Sequence, residues 1–216
     1  MKQALIFQGG WDGHEPEKVA HILGGILNEE GFQVKITDTL QTLAEDDLSL
    51  YDLIIPNWTQ GTIAQEQLQP LLKAVENGTG LAGLHGGMGD SFRMEVDYQF
   101  MVGGQWVAHP GNDGVEYQVC IKDPGHLLTK GMDDFTVVSE QYYMHVDPVV
   151  DVHATTKFPV IAGPHQTNGE VEMPVVWTKK WGDGKVYYCG LGHVAEVVQM
   201  PEVRQLMRNG MKWACR

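Results

Sequence analysis

The chain has 216 residues, 43% of them hydrophobic and 20% charged, which suits one sizeable packed α/β domain and is too apolar for a disordered chain. Its 28 acidic residues against 15 basic ones give a formal net charge of −13, a field that repels phosphate backbones and anionic lipid surfaces, so nucleic acid and membranes are not expected partners. The three cysteines (Cys120, Cys189, Cys215) are odd in number and far apart, which fits neither a disulfide framework nor a thiolate zinc site and points to the reducing cytoplasm.

In chain order, Gln3 to Phe7 is a short apolar run that ends at Gly9-Gly10 and reads as a buried strand, too brief for a signal peptide or a membrane span. A helix follows. Asp12 and Glu15 have the spacing of a capping box, Pro16 suits the first turn, Val19, Ile22, Leu23, Ile26 and Leu27 share one face, and Gly31 stops it. Phe32 to Thr37 alternates as a second strand, and Asp52 to Pro56 is a third that runs into the loop Asn57-Trp58-Thr59-Gln60-Gly61. Leu68, Leu71, Leu72 and Val75 mark a helix closed by Gly78, and Gly80 to Leu84 is a fourth strand. Residues 39–50 are too short and polar to assign. The second half offers shorter strands at Val115–Ile121, Phe135–Val138, Val160–Ala162, Val175–Thr178 and Val186–Cys189, then a helix from Pro201 with Val203, Leu206, Met207 and Met211 on one side.

Strands alternating with helices predict a single α/β domain with a mostly parallel central sheet flanked by helices, whose ligand crevice lies beyond the C-terminal strand ends. Polar and aromatic residues gather at those ends: His14 after the first strand, Trp58 and Gln60 after the third, His85 after the fourth, His193 after the last. The sharpest local signal is Gly80-Leu81-Ala82-Gly83-Leu84-His85-Gly86-Gly87, a buried strand that delivers a side chain into a glycine-lined turn, as a nucleophile elbow does. The elbow residue is a histidine, which can act as acid, base or metal ligand but is a poor acyl nucleophile. His109 precedes Pro110 and is held in extended backbone, the posture of a positioned ligand.

Together with Gly103-Gly104, His109-Pro110, Ser139-Glu140-Gln141-Tyr142-Tyr143, Pro174-Val175-Val176-Trp177 and Gly182-Asp183-Gly184-Lys185 through Gly192-His193, these segments resemble the ThuA-like trehalose-utilisation family over nearly the whole chain. The resemblance implies the flavodoxin-like fold of class I glutamine amidotransferases, in which an elbow Cys works with a His and a Glu after a late strand. By chain order His85 stands at the Cys position and His193 at the His position, with Glu196 as a counterpart of the Glu. Glutamine hydrolysis is therefore not expected.

The resemblance implies a sugar ligand, and three readings of function stay open. The first is acid/base chemistry on a sugar or keto-sugar by His85, His193 and Glu140, with His14, Trp58, Gln60, Gly86, His109 and Tyr142 binding the substrate. The second is a metal-assisted version, in which three of His14, His85, His109 and His193 with Glu140 hold zinc or a similar divalent ion. The third is a non-catalytic sugar-binding or regulatory module. With no Lys or Arg among the motif residues, a neutral or weakly charged sugar is expected over a phosphorylated one, and Trp58 as its stacking platform. Glu196, His145, the reaction type and homo-oligomerisation are left undecided by the sequence.

Overall fold

The computed structural model describes residues 1–216. Its elements run β1 (Gln3–Gly10), α1 (Pro16–Glu29), β2 (Gln33–Thr37), α2 (Thr42–Glu45), β3 (Leu53–Thr59), α3 (Gln65–Glu76), β4 (Gly80–Leu84), α4 (His85–Gly89), α5 (Val96–Val102), β5 (Gly104–Ala108), β6 (Val115–Ile121), β7 (Phe135–Ser139), β8 (Tyr143–Val146), β9 (Asp151–Phe158), β10 (Val171–Trp181), β11 (Gly184–Cys189), α6 (Ala195–Val198) and α7 (Pro201–Ala214). Nine strands form one sheet in the order β2-β1-β3-β4-β11-β10-β9-β6-β7, and β5 pairs with β8 in a separate two-stranded ribbon. From β2 to β11 every pairing is parallel; from β11 to β7 every pairing is antiparallel. No helix is long and apolar enough to cross a membrane.

The parallel half is buried on both faces, so its strands read as continuous apolar runs whose alternate residues enter different layers. Ala4 and Ile6 of β1, Leu53 and Ile55 of β3, Ala82 and Leu84 of β4, and Tyr187 and Cys189 of β11 join the core under α1, α6 and α7. Leu5 and Phe7, Ile54, Leu81, and Val186 and Tyr188 enter the opposite core with residues of α3 and α5. Trp177 of β10, fully buried, stacks against Tyr188 at 4.2 Å between ring centroids and donates its indole N–H to Val102 O at 3.0 Å.

Two local expectations are corrected, and one unassigned stretch takes a definite form. The capping box at Asp12 and Glu15 is absent: Asp12 opens a separate 3₁₀ turn ending at His14, Glu15 takes a left-handed φ of 47°, and α1 starts at Pro16 with no side-chain cap. Residues 39–50 hold two short helical turns, α2 and Leu48–Leu50, too small to leave an apolar period in the sequence. Val160–Ala162 is not a strand; the pairing is made by β9, whose buried residues Ala154, Thr155 and Thr156 include polar threonines that masked it.

Trp177→Ala should lower stability by about 3–5 kcal/mol, the usual cost of emptying a large aromatic site. Urea unfolding would measure it, and a loss below about 1 kcal/mol would mean the two halves of the sheet are not coupled through this ring.

Candidate functional site

The C-terminal ends of β1, β3, β4 and β11 meet on one rim, beside the point where the chain switches direction between β1 and β3. At Gly10 a Cβ would lie 1.9 Å from Thr59 O, so glycine lets β1 and β3 run together to their ends. The next turn swings His14 back over β3, where its Nδ1 lies 2.8 Å from Thr59 Oγ1. His85 follows β4 with a left-handed φ of 41°, the strained elbow the sequence pattern predicts. Tyr188 of β11 donates its hydroxyl to the His85 carbonyl at 3.1 Å and helps hold that turn. His193 comes from the loop after β11.

Glu140 arrives from the other half of the molecule, one residue beyond β7. Its carbonyl accepts the Tyr117 hydroxyl at 2.9 Å, and the neighbouring Gln141 amide donates to Thr156 Oγ1 and Lys157 O, both at 2.9 Å, which pins the 140–142 segment. The carboxylate is buried, and its Oε2 lies 3.1 Å from His85 Nε2, 3.3 Å from His193 Nδ1 and 3.8 Å from His14 Nε2. Three imidazole nitrogens thus converge on one oxygen. His109 Nε2 stands 3.8 Å from the other carboxylate oxygen, Oε1.

Burial drives the pKa of His85 down to about 4, and the contact with Glu140 only partly opposes it. Burial also pushes Glu140 upward, but the three imidazoles outweigh it and hold its carboxyl well below the usual carboxylate range. His193 is raised: burial works against its charge, and Glu140, Asp113 and Glu15 more than compensate. Tyr142 stacks on His85 at 3.8 Å, and burial lifts its phenol well above the ordinary value. The nitrogens His14 Nε2, His193 Nδ1 and His109 Nδ1 are buried without a well-directed hydrogen bond. The ligand atoms of His14, His85, Glu140 and His193 all lie within 4.8 Å of one another.

Above this cluster opens a cavity of about 470 Å³ whose walls include His14, Gln60, His109, Glu140, Tyr142 and His193. His85, 1% exposed, lies beneath the cavity instead of on its surface. Gly86 is buried between His14 and Tyr142; a Cβ there would come within 2.4 Å of His14 Cε1, so it serves as a spacer and not as a contact surface. Trp58 is not brought to the cavity. It belongs to β3, packs against the core layer that holds Ile54, and lines a separate depression with Gly9, Lys18 and Asp38. Glu196 is exposed on α6 and lies in another shallow depression with Glu15 and Lys18, so Glu140 is the carboxylate beside His193. His145 is exposed on β8 and faces away from the cavity.

Sequence reasoning missed six wall residues: Trp11, Asp90, Arg93, Trp106, Asn112 and Asp113. Trp11, 48% exposed, sits edge-on to His14 at 4.7 Å, and Trp106 lies 5.4 Å from His109. Arg93 places a cation in a wall where none was expected. An exposed tryptophan in a Gly-Gly-Trp turn was the available signal for Trp11; Arg93 and Trp106 carry none, because only the tertiary fold brings them there.

The sequence matches the family described as trehalose utilisation, ThuA, across residues 3–214. The chain belongs to the ThuA family. ThuA membership gives it a carbohydrate-utilisation role in the coarse sense of the family's description. Among solved structures it is similar to a ThuA-like protein from Parabacteroides merdae, at 19% identity and TM-score 0.76 over 99% of this chain and 89% of that one. A ThuA-like protein from Bacteroides uniformis is similar at 18% identity and TM-score 0.76, over 99% and 91% of the two chains. A cytoplasmic protein from Salmonella typhimurium shares the fold at 13% identity and TM-score 0.66, with both chains covered fully. A search of curated proteins gives no match.

The His85 environment makes stability depend on pH in protein stripped of divalent cations. The folded pKa of about 4 lies below the ordinary 6.5, so between these values the unfolded chain takes up a proton that the folded chain refuses. This contribution is complete above about pH 6.5 and is lost as pH falls, by about 2 kcal/mol between pH 6.5 and pH 5. His193, being raised, changes its contribution only above its ordinary value and does not mask the slope. Urea unfolding across this range should show the fall, and His85→Asn should flatten it; an equal slope in both proteins would assign the effect elsewhere.

Proposed function

We propose that the protein is a sugar-processing enzyme whose chemistry is centred on a divalent metal ion held by His14, His85, His193 and Glu140. The observation that carries this is the orientation of His85. Its Nδ1 lies 2.9 Å from Gly190 O, a group that only accepts, so Nδ1 bears the proton and Nε2 presents a lone pair. That lone pair faces a carboxylate oxygen at 3.1 Å, also a lone-pair donor, in a site where burial disfavours imidazolium. Two acceptors at this distance need a cation between them. The separations of 3.1–3.8 Å to Glu140 Oε2 are close to those of ligands sharing an ion about 2.0–2.2 Å from each. The outer bonds, Gly190 O to His85 and Thr59 Oγ1 to His14, are of the kind that orient metal-bound imidazoles.

A bound divalent ion would polarise a sugar hydroxyl or carbonyl, or activate a water. His109, on the cavity wall beside Glu140, is placed to exchange a proton with the substrate. Trp11 and Trp106 offer apolar faces to a sugar ring, and Gln60 and Tyr142 offer hydrogen bonds to its hydroxyls. Nothing here supports glutamine hydrolysis: His85 holds the elbow, and the buried Cys189 thiol is pushed up to about 12 by desolvation.

A second, metal-free reading is favoured by the raised pKa of His193, which beside Glu140 would be a general acid for isomerisation or elimination of a sugar or keto-sugar. Metal analysis of the purified protein, with and without prior incubation with zinc, separates the two. One divalent ion per chain is expected, lost in His85→Ala, His193→Ala and Glu140→Gln along with turnover on a panel of sugars and keto-sugars. Turnover that persists after complete chelation would favour the His193–Glu140 acid instead, and a metal-free protein with no turnover on the panel would leave a binding module. Ammonia release from glutamine should stay at the blank.

A further inference from the structure

Arg93 is the one lysine or arginine in the wall of the cavity over the His–Glu cluster. Its Nε donates to Asp90 Oδ1 at 2.6 Å and its Nη2 to Asp90 Oδ2 at 2.9 Å, a bidentate pair, while the guanidinium carbon lies 4.5 Å over the Trp106 ring. Asp90 is 4% exposed and closes α4, the helix that starts at His85. Its backbone is tied on both sides, N–H to Gly86 O at 3.2 Å and O to the Gln60 N–H at 2.8 Å. A buried carboxylate and an indole face therefore fix the plane of the guanidinium. The Arg93 side chain remains 42% exposed, and Nη1 makes no hydrogen bond within the chain.

Neutralising Asp90 requires only the bidentate pair. Stacking on Trp106, with one guanidinium edge left unbonded on a half-exposed side chain that lines the cavity, goes beyond that and is how a planar fork is prepared for a planar anion. We propose that the cavity takes a sugar bearing a carboxylate, of the uronate or aldonate class, and that Arg93 reads that carboxylate with its Nη1 edge. This rests on the reading of the cavity as a sugar site. Asp90 cancels the charge of Arg93 in sum but not in place: it lies on the far side of the fork, so a carboxylate at the open edge meets the positive group first. A phosphate fits less well, because it carries more charge and more acceptors than one guanidinium edge satisfies, and Asp113 and Glu140 line the same cavity. In a chain of net charge −13, a fixed local cation is what allows an acidic ligand to settle at all.

The test is titration calorimetry on the intact protein after incubation with zinc, using D-glucuronate, D-gluconate, D-glucose and D-glucose 6-phosphate. The wild type should bind glucuronate or gluconate at least about tenfold more tightly than glucose, the scale of one charge-assisted contact. In Arg93→Gln that advantage should vanish. Because that variant leaves Asp90 buried and unpaired, the double variant Asp90→Asn, Arg93→Gln is measured beside it and should show the same loss. Equal or tighter binding of glucose, tight binding confined to glucose 6-phosphate, no binding of any of the four, or an acid preference that survives in both variants would each overturn the proposal. Metal content of the same samples keeps the two readings apart. A uronate preference without metal overturns the metal centre alone, and full metal occupancy without the preference overturns the carboxylate alone.

Discussion

The site depends on one carboxylate held almost wholly out of water in the wall of the cavity. Glu140 is 5% exposed and faces three imidazoles through a single oxygen, so its charge needs a cation or a protonated imidazole among groups that come from the ends of three different strands or the turns that follow them. Leaving a carboxylate buried without partners costs several kcal/mol, enough to decide whether these segments assemble. The imidazoles come from the parallel half of the sheet and the carboxylate from beyond the antiparallel half, so the cluster ties the two halves at the rim as Trp177 and Tyr188 do within the core. Function and architecture thus share the same contact.

The elbow at residue 85 has the local geometry of a nucleophile turn but carries a histidine. The strand-to-helix turn at residue 85 retains a left-handed residue, glycine at 86 and hydroxyl support from Tyr188, the means of presenting a strained side chain. A cysteine there would need an open face toward substrate, whereas His85 is turned down, locked by Gly190 O and covered by the Tyr142 ring. Its remaining nitrogen can meet only Glu140 and whatever lies beside it. Strain at this position therefore fixes the direction of an imidazole and does not expose a nucleophile.

Much of this was legible in the sequence because strand ends are local features. Apolar runs broken by glycine located β1, β3, β4 and β11, and a parallel sheet sends every residue just past such ends to the same rim, which is how His14, His85 and His193 could be grouped before any coordinates. The side a residue faces is a finer property. Asn57 and Thr59 share one parity of β3 and reach the segment around Pro16 and His14, while Trp58, one residue out of step, falls on the opposite layer with Ile54. Chain order misled at Glu196, since α6 turns it into solvent. Asp90, Arg93 and Trp106 were invisible for another reason: the pair is local, but its place in the cavity wall is set by β5, which belongs to neither half of the main sheet.

That separate ribbon gives the site an asymmetric construction. The floor, with His14, His85 and His193, hangs from strands buried on both faces, the most firmly held part of the fold. The opposite wall carries Trp106, His109 and Tyr142, at or next to β5 and β8, which pair only with each other. A two-stranded ribbon is marginal by itself and needs a packing partner. Here the partners are the buried ring of Tyr142, Met144 against Met173, and the Arg93 guanidinium laid on Trp106. Trp106, His109 and Tyr142 therefore sit on or beside the two-stranded ribbon, while His14, His85 and His193 follow strands of the nine-stranded sheet. Substitutions in the ribbon can therefore reshape the cavity wall while the imidazoles beneath stay positioned by the sheet.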